Sequence, residues 1–272
     1  MEKNKRYPLW ELKNSNSPLI AVALHNGHFI SPQLLNLSAL DDLERLREED
    51  PYTGSWTSMA PTSIVVNRSR FEVDLNRPRL RAVYQSPEDA WGLNLWKQPL
   101  PLPMVQSALT FYDDFYAQME LIFNQAQAQW GQFVVLDLHS YNGRRGGANA
   151  PLDSQALNPE INIGTGTMDR QRWAGLIDPF IHDLAQFNFF GRNLDVRENV
   201  KFFGGELARW AHQKYPDSAC VLSVEVKKFF MNEWTGQVDQ LYLDMVGSAL
   251  ASTIPALMHN LEVVRRPLPI AI

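Results

Sequence analysis

The chain has 272 residues, of which 45% are hydrophobic and 20% are charged. This composition is that of a globular protein and excludes a disordered one, and the length allows a sizeable buried core. The formal net charge is −5, and no block of Lys and Arg residues stands out. Both facts argue against a nucleic-acid-binding surface, whereas a small anionic substrate fits if a local arginine cluster receives it.

Cysteine content and apolar runs indicate the cellular compartment. Cys220 is the only cysteine, so an internal disulfide is impossible, and its apolar neighbours predict a buried, inert thiol. Residues 1–6 are charged, and no apolar signal core follows them. The apolar run at 18–24 is too short to span a bilayer, and we identify no longer run that could. We therefore expect a soluble cytoplasmic protein without a membrane partner.

Strand-like and helix-like patterns alternate along most of the chain. The predicted strands cover residues 18–24, 63–67, 71–75, 133–139, 161–164 and 219–226. The first predicted helix begins near Ser38, with Ser38 and Asp41 as a capping box. Further predicted helices cover residues 109–126, 170–186, 206–212 and 238–261. We expect a bend or break at Pro179 and at Pro255. This alternation favours an α/β sandwich with a largely parallel sheet. Without internal repeats, residues 1–272 are treated as one domain.

Three histidines, His25, His28 and His139, follow predicted strands. If those strands are neighbours, the three imidazoles could meet at one edge of the sheet, where open α/β sheets bind ligands. Three protein ligands with one position left for water is the arrangement of catalytic zinc. The alternatives are exposed loop histidines at positions 25 and 28 and a core histidine at 139.

Glu225 lies in the apolar strand Leu-Ser-Val-Glu-Val. A carboxylate in a buried strand is costly unless it is paired or functional. Beside a metal-activated water it would act as a general base and then as a general acid. The alternative is a salt bridge with Lys227, Lys228 or a distant arginine.

A third group of candidate residues is polar and lies at the ends of predicted strands or just beyond them. Asp74 could hydrogen-bond a ligating histidine and fix its tautomer. Arg77 offers a planar fork that suits a substrate carboxylate, and Asn76 could assist. Arg144, in a glycine-rich loop beyond His139, could hold a second anionic group. The alternatives are a structural ion pair for Arg77 and a solvated basic loop around Arg144.

Taken in order, these motifs resemble the zinc carboxypeptidase-type superfamily and, more specifically, the N-formylglutamate amidohydrolase family. The stretches that carry the resemblance are Ser-Arg-Phe-Glu-Val-Asp-Leu-Asn-Arg-Pro at 69–78, Asp-Leu-His-Ser at 137–140, Phe-Gly-Gly at 203–205, Glu225, and Phe-Met-Asn-Glu at 230–233. The resemblance implies a three-layer sandwich of the carboxypeptidase type with a mixed sheet, and one bound metal ion, with Zn²⁺ expected.

The resemblance also implies roles for individual residues. His25 and His139 would bind the metal, Asn76 and Arg77 would hold the substrate carboxylate, and Glu225 would be the catalytic glutamate.

Position 28 departs from the pattern, because carboxypeptidase-type enzymes have His-x-x-Glu where this chain has His28. A neutral imidazole in place of a carboxylate would leave the site more of the metal's positive charge. We expect His28 to be the third ligand, and a carboxylate from Glu48, Glu49 or Asp50 is the alternative.

The activity implied is the metal-dependent hydrolysis of a small N-acyl amino acid. N-formyl-L-glutamate is the leading candidate, which would yield formate and glutamate and belong to histidine catabolism. A peptidase or amidase acting on a larger amide, or a metal-free binding protein of the same fold, is the alternative. The metal, the acyl group, the preferred amino acid and the oligomeric state are left open.

Overall fold

The computed structural model describes residues 8–265, so the charged segment 1–6 lies outside the described residues. Seven strands form one sheet in this part of the chain. The strands are β1 (Trp10–Lys13), β2 (Leu19–Ala23), β3 (Thr62–Val66), β4 (Phe133–Tyr141), β5 (Ile161–Gly164), β6 (Val196–Glu198) and β7 (Ala219–Lys227).

The sheet is mixed and largely parallel, as predicted. Its spatial order is β1-β3-β2-β4-β7-β5-β6. The four strands β3, β2, β4 and β7 run parallel to one another. The edge strand β1 is antiparallel to β3, and the pair β5 and β6 is antiparallel to β7. The carboxyl ends of β2, β4 and β7 therefore meet at one edge of the sheet.

Helices cover both faces of the sheet and complete the three-layer sandwich. The described α-helices are α1 (Pro32–Leu37), α2 (Asp42–Glu48), α3 (Thr53–Trp56), α4 (Leu102–Trp130), α5 (Ala174–Gln186), α6 (Glu206–Lys214), α7 (Gln240–Ser252) and α8 (Ile254–Arg265). Apolar residues of α4 and α6 form one hydrophobic core with the sheet. Residues of α5, α7 and α8 form the other core with its opposite face.

The alternation of side chains along β4 explains both cores and the position of the site. Val134, Leu136 and Leu138 point to the core of α5, α7 and α8, whereas Phe133 and Val135 point to the core of α4 and α6. Because the side-chain period of a strand is two, positions 137 and 139 continue on the α4 and α6 face. These positions hold Asp137 and His139, so the same face turns from apolar to polar at the end of the strand.

Two local predictions were wrong. Residues 71–75 form turns and not a strand. Phe71, Val73 and Leu75 are buried as in a strand, but the N–H of Asp74 bonds the carbonyl of Ala82 at 2.7 Å and closes a local loop. The apolar side chains of this segment are thus buried without a strand partner, and Asp74 between them is fully buried as well.

The capping box lies three residues later than predicted. Asp41 and Glu44 exchange side-chain and backbone hydrogen bonds at the start of α2, while Ser38 ends α1. A carboxylate at the N-cap is the better acceptor for the first free N–H groups of the helix.

The helices around the two prolines differ from one another. Pro179 lies inside a continuous α5, so the helix does not restart there. The C-terminal segment does break, at Thr253, two residues before Pro255. By length and composition alone, residues 240–264 could span a membrane, contrary to our reading of the apolar runs. In this fold, however, Leu243, Leu250 and Leu261 are buried in the core of the sandwich.

Candidate metal centre

Two histidines and one aspartate converge at the carboxyl edge of the sheet. His25 follows β2, His139 lies in β4, and Asp50 follows α2. All three are buried, and their ligand atoms lie within 4.8 Å of one another. The Oδ2 atom of Asp50 is 3.2 Å from Nδ1 of His25 and 3.0 Å from Nδ1 of His139. The three side chains thus face one point.

A buried carboxylate lies behind each imidazole. Nε2 of His25 is 2.7 Å from Oδ1 of Asp74, and Nε2 of His139 is 2.8 Å from Oδ1 of Asp137. Carboxylates placed in this way fix the tautomer and the orientation of metal-binding histidines. With each Nε2–H donated to its carboxylate, the Nδ1 atoms are left to face Asp50.

This geometry fits a cation. In neutral imidazoles the Nδ1 atoms would turn lone pairs towards an oxygen of Asp50, so the contact is favourable only with a proton on Nδ1 or with a metal ion between the side chains. Two imidazoles and one carboxylate also form a donor set of catalytic zinc. Although burial lowers the pKa of His139, the carboxylates of Asp137 and Glu225 hold it well above its usual value, so the negative charge around this imidazole favours a cation, either a proton or a metal ion. The residues present therefore suit a bound metal ion.

His28 stands outside this cluster. Its Nδ1 is 2.5 Å from Oε2 of Glu49, its Nε2 is 3.3 Å from Asp42, and about a third of its side chain is exposed. The hydrogen bond with Glu49 raises the pKa of His28. The turn after His25 therefore directs the second imidazole towards α2. Asp50 occupies the place among the candidate ligands for which His28 was predicted.

Glu225 lies directly beside the cluster. It pairs in register with His139 across β4 and β7 and lines the same cavity. Burial raises the pKa of Glu225 to about 7, although the positive charge of His139 opposes this shift. The neighbouring lysines bind carbonyl groups instead: Lys227 that of Asn158 at 2.8 Å, and Lys228 that of Glu49 at 2.6 Å.

The cavity over the cluster has a volume of about 410 Å³, and cations line it together with the carboxylates of Glu48, Asp50, Asp74 and Glu225. The cations that line it are Arg70, Arg77, Arg145, Lys201 and Lys228. Asn76 lines it as well, so both residues predicted to hold a carboxylate are in place beside it. Arg144 does not line it, because its guanidinium turns away and donates to the carbonyl of Ala148 at 3.0 Å.

Asn76 is held between the cluster and the start of α6. Its Oδ1 accepts the N–H of Leu207 at 3.2 Å, and its backbone N–H donates to Oδ1 of Asp74, the carboxylate behind His25, at 2.8 Å. A Cβ atom on Gly205 would lie only 2.2 Å from Oδ1 of Asn76. The second glycine of the Phe-Gly-Gly motif therefore leaves space for this amide.

Sequence reasoning did not assign several residues of the site. Asp137 lies in the motif of β4 and could have been found as a buried acid two residues before His139. Arg70, which donates to Oδ2 of Asp74 at 2.8 Å, lies in the quoted 69–78 stretch. No local sequence pattern pointed to Lys201, because the position of its loop depends on Asn162, a residue of β5 that lies far away in the sequence. Oδ1 of Asn162 accepts the N–H of Lys201 at 2.8 Å, and its amide donates to the carbonyl of Phe202 at 2.8 Å.

Comparisons with known proteins identify the family of the chain and agree with its fold. The sequence profile of the family described as N-formylglutamate amidohydrolase matches residues 17–230. N-formylglutamate amidohydrolase from Ralstonia eutropha JMP134 has a similar structure, with a TM-score of 0.72 and 19% identity over 95% of this chain and 99% of that chain. The gene product Atu2144 from Agrobacterium tumefaciens has a TM-score of 0.57 and 17% identity over 89% and 95%. At these identities the two structures show a shared fold. A search of curated proteins finds no significant match.

Proposed function

The chain belongs to the N-formylglutamate amidohydrolase family, a family of hydrolases, and from this we propose that it is a metal-dependent enzyme that cleaves small N-acyl amino acids. N-formyl-L-glutamate is the leading substrate, with formate and glutamate as products. The observation that supports the proposal best is the convergence of His25, Asp50 and His139 beside Glu225.

His25, His139 and Asp50 would hold the metal ion, with Asp74 and Asp137 orienting the imidazoles. A zinc ion in such a site polarises a carbonyl group and lowers the pKa of water towards about 7. Asp50 replaces His28 in this proposal, because its oxygen faces both Nδ1 atoms and His28 is paired with Glu49.

Glu225 would move the proton. It takes a proton from the attacking water while the new C–O bond forms at the formyl carbon. It then gives this proton to the amide nitrogen, so that the C–N bond breaks and the amino acid leaves as an amine. The buried setting that raises its pKa to about 7 suits a group that must both accept and release a proton near neutral pH.

The cationic walls would bind the two carboxylates of the substrate. Arg77, assisted by Asn76, is the proposed partner of the α-carboxylate. Arg145 and Lys201, which line the same cavity, are better placed than Arg144 for the side-chain carboxylate. A guanidinium presents two parallel N–H donors to a carboxylate, which adds geometric selection to charge.

The proposal is tested by hydrolysis of a panel of N-acyl amino acids and short peptides, with and without added Zn²⁺. We expect N-formyl-L-glutamate to be cleaved fastest, and only by the metal-loaded protein. Preferential cleavage of peptides would move the assignment to a peptidase, and metal-independent or absent hydrolysis would refute it.

Glu225→Gln is the sharpest variant for the mechanism. The amide cannot carry the proton, so kcat should fall by roughly 10²–10⁴-fold, while zinc content measured by elemental analysis stays at the wild-type level. Near-normal turnover in this variant would remove Glu225 from the proton transfer.

A further inference from the structure

Trp91 stands between two cavities. Its side chain lines the candidate active site, of about 410 Å³, and also a smaller cavity of about 180 Å³ beside it. The other residues lining the smaller cavity are Arg47, Glu48, Leu93, Asn142, Arg144, Arg145 and Trp234. The indole is therefore part of the wall that separates the site from a neighbouring arginine-rich space.

Three arginines of the site surround the indole. Cζ of Arg70 is 4.8 Å from the ring centroid of Trp91, that of Arg145 is 5.7 Å away, and that of Arg77 is 5.9 Å away. Tyr84 contacts the ring edge to face, with centroids 6.1 Å apart. Cations attracted to an aromatic face favour defined positions relative to the ring. The indole thus lies against both guanidiniums proposed to bind carboxylates.

The backbone of Trp91 adopts a conformation that suits glycine. Trp91 has a φ of 55°, in the left-handed region, at the end of the short 3-10 helix Pro87–Ala90, and Gly92 follows with a φ of 88°. This region is uncommon for a bulky residue. A tryptophan held there by its surroundings indicates a role for the ring itself.

We propose that Trp91 sets the length of the substrate, by closing the cavity beyond the amino-acid portion and positioning Arg77 and Arg145. This inference rests on the proposed function and names the group that limits its substrate class. Without the indole, the site would open into the smaller cavity, where Arg47 and Arg144 could receive the terminal carboxylate of a longer substrate.

The test compares two substrates in four proteins, namely wild type, two variants of Trp91 and one control variant. N-formyl-L-glutamate is the short one, and N-formyl-L-γ-glutamylglycine extends it by one residue that ends in a carboxylate. Trp91→Gly removes the ring and suits the left-handed backbone, so it should fold. We divide kcat/KM for the longer substrate by kcat/KM for the shorter one, and we expect this ratio to be about tenfold higher in Trp91→Gly than in wild type. The ratio for Trp91→Phe should lie between those of wild type and Trp91→Gly.

Trp234→Ala is the matched control, since Trp234 lines the smaller cavity but not the candidate active site. Its ratio should equal that of wild type. If kcat/KM in Trp91→Gly falls equally for both substrates, so that the ratio is unchanged, Trp91 has a structural role only and the inference is overturned.

Failure of the proposed function can be told apart from failure of this inference. If wild type hydrolyses neither compound, the proposed function fails, and calorimetric binding of the same two compounds to the zinc-loaded proteins takes the place of kinetics. If Trp91→Gly binds the longer compound more tightly, relative to the shorter one, than wild type does, the result still supports the proposal that Trp91 limits substrate length. An unchanged ratio, or no binding to any of the proteins, overturns it.

Discussion

At the scale of single residues, the main question is which side chain completes the set formed by His25 and His139. The pattern His-x-x-His pointed to His28, whose spacing suits a turn around one ion. The structure pairs His28 with Glu49 and brings Asp50 to the two Nδ1 atoms. A carboxylate also neutralises more of the charge of a divalent cation than an imidazole does. Asp50 is therefore the third ligand in our proposal.

Paired substitutions separate the two candidates. Asp50→Asn removes the charge at the centre of the cluster, so zinc affinity should fall by more than the roughly 10–100-fold typical of outer-shell changes. His28→Gln should keep zinc at the wild-type level. Metal titration monitored with a competing chelator measures both. The reverse pattern, with zinc lost in His28→Gln and kept in Asp50→Asn, would restore His28 as the ligand.

At the scale of elements, the start of α6 positions Asn76 through a glycine. Gly205→Ala would place a methyl group where the amide of Asn76 lies, so the amide must move. Because small misplacements of a positioning group can cost roughly 10²-fold in rate, we expect a loss of that order in kcat/KM. The control is Gly175→Ala in α5, where the added Cβ meets only Val264 at 3.9 Å. Comparable activity in both variants would contradict the role given to Gly205.

The contact between α6 and β7 should make stability depend on pH. His212 accepts the N–H of Val221 at Nε2, at 3.1 Å, and burial lowers its pKa to about 4 from an ordinary 6.5. Between these values the unfolded chain binds a proton that the folded chain does not. The free energy of unfolding should therefore fall as the pH drops from 6.5 to 4, by about 3 kcal/mol.

His212→Gln provides the comparison, since an amide can donate and accept hydrogen bonds but does not titrate. Urea unfolding of both proteins at several pH values measures the effect. The difference in unfolding free energy between wild type and variant should change across this pH range. A constant difference would show that His212 does not carry the pH dependence.

At the scale of the whole molecule, the fold was largely predictable and the full site was not. Buried strands such as β4 and β7 are short apolar runs, which can be recognised from local composition alone. The edge where His25, His139 and Glu225 meet follows from the parallel order of these strands. Asp50 and Lys201 reach the site from loops, and Asn162 in β5 holds the loop of Lys201. These contacts join residues far apart in sequence, so no local pattern indicates them.

The same long-range order encloses the only thiol of the chain. Cys220 is fully buried in β7, paired in register with Val134 of β4, and burial raises the pKa of its thiol well above the ordinary range. A maleimide or disulfide reagent needs an exposed thiolate. We expect wild type to resist such labelling until the central strands separate, so that the labelling rate in weak denaturant follows global unfolding. Fast labelling of the native protein would contradict this.

Cys220 therefore acts as an internal reporter of unfolding. It also leaves the native surface free for site-directed chemistry. A cysteine introduced at an exposed position, such as Asn94 in the loop after Trp91, would be the reactive thiol of the folded molecule. A fluorophore attached there could follow substrate entry without removal of the native cysteine.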